Sequence, residues 1–233
     1  MPYAGLFDQP ETDTRCSLRE RLDNVLEACR PETISVMVET ARIRGLRAGE
    51  TIRPQGEPIP LSLIFDGHAL ERRTTADGGQ LLCGIVPPGV LFGYSGIGVP
   101  SVISSVEMVA LTDCFVAQWR GSEIRELVKS DVALGLAAID SLSRSLHALV
   151  GTIEGFLHQD ARRRVLRILA RHRTLFFDDP PILTRAHLSG LVGTTQEMTR
   201  RVLRQLECEG TIAREGRSGL RLLRPERLEA PFA

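Results

Sequence analysis

The sequence predicts an α+β chain: an N-terminal β-roll, one long helix and a C-terminal winged helix-turn-helix. Three observations predict it. From Ala41 to Trp119, short apolar segments are punctuated by turn residues every 8–12 positions, the spacing of an all-β sandwich or barrel. From Val132 to Phe156, apolar residues recur at heptad spacing. Near the C-terminus, two short amphipathic stretches bend around Gly193 and lead into two strand-like segments.

Taken in order, residues 1–14 are polar and read as a mobile leader. Ser17 to Cys29 reads as a helix with Leu18, Leu22, Val25 and Leu26 on one face, and Glu32 to Thr40 as a second. The segments that follow carry glycine at Gly49, Gly56, Gly67, Gly78, Gly79, Gly84, Gly89 and Gly93, and Val106 to Trp119 closes the roll as a last strand pair. Ser122 is placed to cap a short helix through Val128. In the long helix Val132, Ile139, Leu142, Leu146, Leu149, Ile153 and Phe156 fall at a and d positions, with a gap at Gly135. That seam predicts a parallel homodimer; the other reading is one face of a single helix packed on its own domain. His158-Gln159-Asp160 interrupts it, and Asp160 caps a helix over Ala161–Phe177 whose inner face is Val165, Leu166, Ile168 and Leu169. Its outer face carries Arg162, Arg163, Arg164, Arg167 and Arg171. The domains expected are residues 1–121, 122–159 and 160–233.

The bend at Gly193 carries the most information. Leu188, Leu191 and Val192 form an apolar face at i, i+3, i+4, and Ser189 is small where two helices must meet. Gly193 supplies positive φ, and Thr194 or Thr195 offers a hydroxyl to the next helix. There Met198, Val202 and Leu206 are expected to face inward, opposite Gln196, Glu197, Arg200, Arg201 and Arg204. The pattern is that of a helix-turn-helix whose second helix lies in the DNA major groove; a plain helical hairpin with a solvated basic face is the bland alternative. Gly210 to Leu223 reads as a two-strand wing.

Charge supports nucleic acid as the partner. Lys plus Arg and Asp plus Glu both number 29, yet residues 161–233 hold 15 Arg against 8 acids, a local +7 that leaves −7 on residues 1–160. No apolar run approaches the roughly 18 residues that span a bilayer, and the N-terminus lacks the basic and apolar regions of a signal peptide. Cys16, Cys29, Cys83, Cys114 and Cys208 are scattered, with neither zinc nor disulfide spacing. A cytoplasmic protein with reduced thiols and no metal site is expected. No catalytic constellation is apparent: a cupin-like enzyme needs several convergent ligands, and the β-roll offers only His68.

The order of elements and several sets of residues resemble the CRP/FNR family of bacterial transcription regulators over residues 40–228. Leu183–Gly193 resembles the family's scaffold helix, Thr195–Leu203 its recognition helix with Glu-x-x-x-Arg, and Pro88-Gly89 with Phe92-Gly93 the turn before its phosphate-binding cassette. Thr112-x-Cys114 and Asp160 fall in register. The resemblance implies a cyclic-nucleotide-binding-like jelly roll, a homodimer on a palindromic promoter site, and RNA polymerase as a further partner. It implies that Glu197 and Arg201 read base edges, with Gln196 or Arg200 adding a base or phosphate contact. The chemistry agrees: Arg donates to guanine O6 and N7, and Glu accepts from cytosine N4. Thr195, Arg162, Arg163, Arg204, Arg214 and Arg217 are the phosphate candidates. The FNR/FixK branch reads TTG-type half-sites, with which Glu-x-x-Arg-Arg here is compatible.

The chain also departs from the family. Members that bind cyclic AMP place a Glu, an Arg-Ser pair and a Thr-Ser pair where this sequence has Tyr94, Ser104-Ser105 and Leu149-Val150. A cyclic phosphate therefore lacks its counter-charge, and cyclic AMP is not expected. An iron–sulfur cluster needs more N-terminal thiolates than Cys16 and Cys29 provide. Three effector readings stay open: a vestigial pocket, a small weakly polar ligand beside Tyr94, Leu149 and Val150, or haem held by His68, His147, His158 or a cysteine. His68, His172 and His187 read more simply as solvated or hydrogen-bonding side chains. Cys83 and Cys114 read as core thiols, and Cys208 beside the wing as the thiol suited to redox control. The rival to a regulator is a winged-helix module that docks a protein and has lost DNA reading.

Overall fold

A computed structural model describes residues 11–74, 80–98, 102–216 and 218–229; the side chain of Phe156 also lies outside the described set. The chain divides into two units, one formed by residues up to 73 with 84–147, the other by 74–83 with residues from 148 onward.

In the first unit, α1 (Glu11–Val25) and α2 (Pro31–Thr40) precede β1 (Arg42–Leu46), β2 (Thr51–Arg53), β3 (Leu61–Asp66), β4 (Ala69–Thr74), β5 (Gln80–Val86) and β6 (Val90–Phe92). After them come a short α3 (Ser95–Gly98), β7 (Glu107–Ala110), β8 (Cys114–Trp119), α4 (Gly121–Ser130) and α5 (Val132–His158). The strands form two four-stranded sheets, β1-β8-β3-β6 and β2-β7-β4-β5. The pairs β1·β8, β3·β8, β3·β6, β2·β7 and β4·β7 are antiparallel. Strand β3 explains the arrangement. Leu61 to Phe65 are all buried, as a strand covered on both faces requires. Leu61, Leu63 and Phe65 join Leu18, Leu22, Met37 and Trp119 in a core against the helices. Ile64 joins Met108, Ala110 and Val116 in a core between the sheets. Gly67 turns β3 into β4 with φ 81°, and a Cβ there would lie 2.2 Å from the Asp113 carbonyl oxygen.

The helices are pinned from inside. Trp119 Nε1 donates to the Met37 carbonyl at 2.8 Å. The Asp131 carboxylate accepts the Thr33 hydroxyl at 2.6 Å, the Arg30 N–H at 2.9 Å and, through its other oxygen, the Ala133 N–H at 3.2 Å. One 3%-exposed side chain thus caps α5 and ties it to the start of α2.

The second unit holds the C-terminal part of α5, then α6 (Ala161–Arg171), α7 (Arg173–Phe177), α8 (Arg185–Val192), α9 (Gln196–Cys208), β9 (Ile212–Glu215), β10 (Gly219–Leu222) and α10 (Glu226–Glu229). Val165, Leu166, Leu169, Phe176, Leu188, Val192, Val202, Leu203, Leu206, Ile212 and Leu220 are its buried apolar residues. Asp160 caps α6, accepting the Arg163 N–H at 2.8 Å. Gly155 lets α6 approach closely: Arg167 Nη1 and Nη2 donate to the Gly151 carbonyl at 3.0 and 3.1 Å, and a Cβ on Gly155 would lie 2.4 Å from Nη1.

Several expectations are corrected. Residues 11–14 belong to α1 instead of a mobile leader, and residues 1–10 lie outside the described set. Helix α4 starts at Gly121 with Arg120 as its N-cap, two residues before Ser122; Glu123 accepts the Arg120 N–H at 2.9 Å. The helix expected over Ala161–Phe177 breaks at His172 into α6 and α7. Arg162, Arg164 and Arg167 are partly buried, not outer, because their aliphatic stems line the packed side of α6. Cys83 is exposed, while Cys114 is buried and its thiol is pushed up to about 12, first by burial and then by Asp66.

The hydroxyl of Thr33, then the Arg30 N–H, hold Asp131 below the ordinary carboxyl range. A lowered folded pKa means stability that is complete above the unfolded value of about 3.9 and is lost as pH falls through the folded one. Asp131→Ala is expected to cost about 2–3 kcal/mol at pH 7, since the buried Thr33 hydroxyl and two half-buried backbone N–H groups lose their acceptor. It should also remove part of the acid limb; urea melts at pH 7 and below pH 4 measure both.

Candidate nucleic-acid interface

The bend between α8 and α9 follows from three local interactions. Gly193 sits at φ 65°, ψ 47°, the left-handed position that ends α8, and its N–H turns back to Ser189 and Gly190 carbonyls. The Thr194 N–H also reaches the Ser189 carbonyl, at 3.2 Å. Thr195 then caps α9, its hydroxyl accepting the Met198 N–H at 3.2 Å. Of the two threonines offered by the sequence, Thr195 is the cap. At the other end of α8, His187 Nδ1 accepts the Thr184 N–H at 3.1 Å.

Helix α9 buries Thr199, Val202, Leu203 and Leu206. Met198, expected inside, is 37% exposed, and Thr199 takes the inner place with its hydroxyl bonded to the Thr195 carbonyl at 3.0 Å. Satisfying its own hydroxyl lets a small polar residue pack where the pattern favours methionine. Gln196, Glu197, Arg200, Arg201 and Arg204 are all exposed on the opposite face.

That face has two sides. Gln196 and Arg200, linked at 3.4 Å, line a cleft of about 340 Å³ with Arg185, Ser189, Arg214 and Ser218 of α8 and the wing. Glu197, Arg201 and Arg204 border a shallow depression with Thr195 and Met198. The wing is the β9·β10 hairpin, registered from Ile212↔Leu222 to Glu215↔Gly219. The Arg185 N–H donates to the Ser218 carbonyl at 3.2 Å and ties the hairpin to α8. Arg185 and Ser218 were not among the sequence candidates; their place beside Arg214 depends on the wing folding back, which no local pattern encodes.

The basic residues around this face are not equivalent. Arg204 and Arg163 are exposed. Arg214 Nε donates to Glu207 at 2.7 Å and Arg162 Nη2 to Glu209 at 2.6 Å, so both already have carboxylate partners. Arg217 lies outside the described residues. Cys208, the last residue of α9, is exposed.

The suggested effector residues fall in different surroundings. Tyr94 is 6% exposed in the helix-facing core, and burial pushes its phenol up to about 12. Ser104 is buried with its hydroxyl donating to the Val106 carbonyl at 2.7 Å, and Ser105 is exposed. Leu149 and Val150 belong to the second unit and are exposed on α5. Burial lowers the His68 and His187 pKa values and takes His172 to about 4. Among the described residues no group of three or more His, Cys, Asp and Glu side chains is placed to hold a metal ion. Nor is any described helix long and apolar enough to cross a membrane.

A tight αL turn, a capped second helix with a bared polar face and a two-stranded wing define a winged helix-turn-helix DNA-binding domain. Residues 163–230 match the family described as the Crp-like helix-turn-helix domain. Over 216 residues the chain is 24% identical to the transcriptional activator protein FnrL of Cereibacter sphaeroides, covering 87% of this chain and 84% of that protein. Its fold is similar to that of FixK2 from Bradyrhizobium japonicum (21% identity, 83% of this chain, 98% of the other, TM-score 0.69). It is also similar to the c-di-GMP-responsive regulator CLP of Xanthomonas campestris (20% identity, 83% and 99%, TM-score 0.68). Residues 163–230 thus form a Crp-like helix-turn-helix domain, and the chain as a whole shares the fold of these regulators.

His187 sets a pH dependence. Its lowered pKa means that the neutral ring accepting the Thr184 N–H is favoured by the fold. The contribution is complete above the unfolded value near 6.5 and is lost as pH falls below it. His187→Ala is expected to cost about 1 kcal/mol at pH 7.5, as for other lost caps. His187→Gln, which keeps an acceptor but does not titrate, should remove part of the fall in Tm between pH 6.5 and pH 5. Thermal melts across that range check it.

Proposed function

We propose that this protein is a homodimeric, sequence-specific regulator that reads a palindromic promoter site with two copies of α9. The observation that carries the reading is the α9 face itself: Glu197, Arg200, Arg201 and Arg204 are exposed together while Thr199, Val202, Leu203 and Leu206 lock the helix from behind. In this reading Arg201 and Glu197 contact base edges, Gln196 and Arg200 read or clamp on the wing side, and Thr195, Arg163, Arg204, Arg214 and Arg217 contact phosphates. Arg214 reaches phosphate by exchanging its Glu207 partner.

The dimer reading is supported by α5. Val132, Leu136, Ile139, Leu142, Leu146, Leu149, Val150, Ile153 and Leu157 are each between 47% and 72% exposed. Such a stripe along one helix is unusual on a solvated surface and fits a second copy of the same helix. Leu136, Val150 and Leu157 extend the seam beyond the residues that heptad spacing selects. A two-fold dimer places its recognition helices about 34 Å apart, one DNA turn. The departures at Tyr94, Ser104, Ser105, Leu149 and Val150 support control by a signal other than cyclic AMP. Cytoplasmic action with RNA polymerase as partner completes the reading.

Fluorescence anisotropy against a TTG-type palindrome and a scrambled duplex, at two salt concentrations, tests it. The full chain is expected to bind the palindrome preferentially and to weaken as salt rises. Arg201→Ala should cost about 1–3 kcal/mol on the palindrome and little on the scrambled duplex. Arg204→Ala should weaken both and lower the salt slope by about 1. Binding that ignores sequence and is unchanged in Glu197→Ala/Arg201→Ala would favour the protein-docking module.

The seam is tested by size. Leu146→Glu/Ile153→Glu is expected to convert a dimer to a monomer in light scattering. It should also abolish palindrome preference while leaving the thermal transition of the winged domain in place.

A further inference from the structure

A cleft of about 360 Å³ lies in the second unit between α5, α6 and α8, and it shares no residue with the exposed face of α9. Its α5 wall is Ala148, Gly151, Thr152 and Gly155, spaced i, i+3, i+4 and i+7 so that they share one face of the helix. The exposed apolar residues Leu146, Leu149, Val150 and Ile153 are not in that wall, so the seam of the proposed dimer does not use it. The two glycines differ. A Cβ on Gly155 would lie 2.4 Å from Arg167 Nη1, whereas a Cβ on Gly151 would meet nothing within 4 Å. Gly155 thus makes room for a side chain of α6, while Gly151 faces open space. The Gly151 carbonyl receives Arg167, a contact that any residue there would offer. Glycine inside a helix is destabilising relative to alanine, and no close packing at Gly151 accounts for one there.

The opposite walls combine charge with apolar surface. Helix α6 contributes Arg164, Arg167 and Arg171 at i, i+3 and i+7, with Ile168 among them, and α8 contributes Leu191 and Val192. No acid lines the cleft, so its electrostatics favour an anion. Arg167 is spent on the Gly151 carbonyl, at 3.0 and 3.1 Å. Arg171 is exposed and, among the described residues, makes no hydrogen bond or ion pair. Val192 is buried, and Ile168 and Leu191 are half-buried. An unspent guanidinium fork therefore stands at the open end, with an apolar floor behind it. Inorganic phosphate would leave Ile168, Leu191 and Val192 without a partner, and an uncharged hydrocarbon would leave Arg171 without one. The volume lies at the lower end of the small-molecule range, about 300–1,000 Å³.

We propose that this cleft binds a straight-chain carboxylate of medium length, its carboxylate on Arg171 and its alkyl chain along Ile168, Leu191 and Val192 toward Gly151. A guanidinium meets a carboxylate bidentately, and each methylene removed from water adds about fourfold to affinity. The site stands independently of DNA reading, since none of Gln196, Glu197, Arg200, Arg201 and Arg204 belongs to it.

The test is isothermal titration of the full-length protein with octanoate, hexanoate and octanol at millimolar concentrations. Octanoate is expected to bind saturably at one site per chain. Hexanoate, two methylenes shorter, should bind about tenfold more weakly. Octanol, which offers Arg171 no charge, should bind weaker than octanoate by about tenfold or more. Arg171→Gln should weaken octanoate by about the same factor and leave octanol unchanged. Gly151→Leu puts a side chain where the alkyl chain would lie, and should weaken both ligands by about tenfold or more. Its Tm should stay unchanged or rise, because leucine is the better helix former. No octanoate binding, equal affinity for octanoate and octanol, or octanoate binding that survives Gly151→Leu overturns the proposal. So does a fall of many degrees in the Tm of Gly151→Leu, which would mean that Gly151 does not face open space.

Discussion

Helix α5 has to be apolar on two faces at once, and much of the architecture follows from that constraint. On one side Leu134 is fully buried and Ala137 and Ala138 pack against the helix-facing core of the first unit. The part of the helix that belongs to the second unit carries Ala148, Gly151, Thr152 and Gly155, which line a cleft with α6 and α8. The side turned away carries Val132, Leu136, Ile139, Leu146, Ile153 and Leu157, all left exposed. Large residues outward and small residues inward is the reverse of an ordinary surface helix. It makes sense when the small side lets neighbouring elements approach the backbone and, in the dimer proposed above, the large side meets a second copy of the helix. Asp131 fixes where this helix starts, through its three hydrogen bonds to Thr33, Arg30 and Ala133.

The winged domain illustrates a different balance. Residues 161–233 are strongly basic in sequence, yet part of that charge is already compensated by acids at the end of α9. Glu207 holds Arg214 and Glu209 holds Arg162, while Arg200, Arg201 and Arg204 stay exposed on α9. Such half-exposed pairs are worth about 0–1 kcal/mol each. They are weak enough for Arg214 to exchange its carboxylate for a phosphate, and strong enough to hold the wing strand β9 against α9 until then. Charge neutralised locally in this way sharpens where a polyanion docks without changing how much net charge the domain carries.

How much of this was legible in the sequence depended on how local each signal is. Gly193, Thr195 and Asp160 act within three or four residues of themselves, and each was readable as a turn or cap. The long helix was readable because its apolar repeat persists for many turns. The inner face of α9 was misphased at one position, because hydrophobicity favours Met198 over Thr199 and says nothing of a hydroxyl bonded to the preceding turn. The break at His172 and the exposure of Cys83 likewise depend on neighbours distant in sequence. The burial of Arg53, which is 6% exposed, was unreadable for a further reason. A single-residue shift in the β2·β7 register turns it inward, and in sequence it is one more polar residue before a proline.

Lys129 is the only lysine among 29 basic residues, and the structure gives a physical reason why arginine serves better. Arg125 closes on the Ile97 carbonyl with two nitrogens, at 2.9 and 2.6 Å. Arg42 grips both oxygens of Glu123. Arg167 places two nitrogens on the Gly151 carbonyl, in a space that exists because Gly155 has no side chain. Each is a planar fork used as a clamp, a geometry that the single nitrogen of an ammonium does not reproduce. The same fork is what a guanine edge or a carboxylate asks for. A chain that builds with arginine thus has one side chain serving two purposes: satisfied forks hold loops and helices, and in the proposed reading the exposed Arg201 fork on α9 meets a base edge.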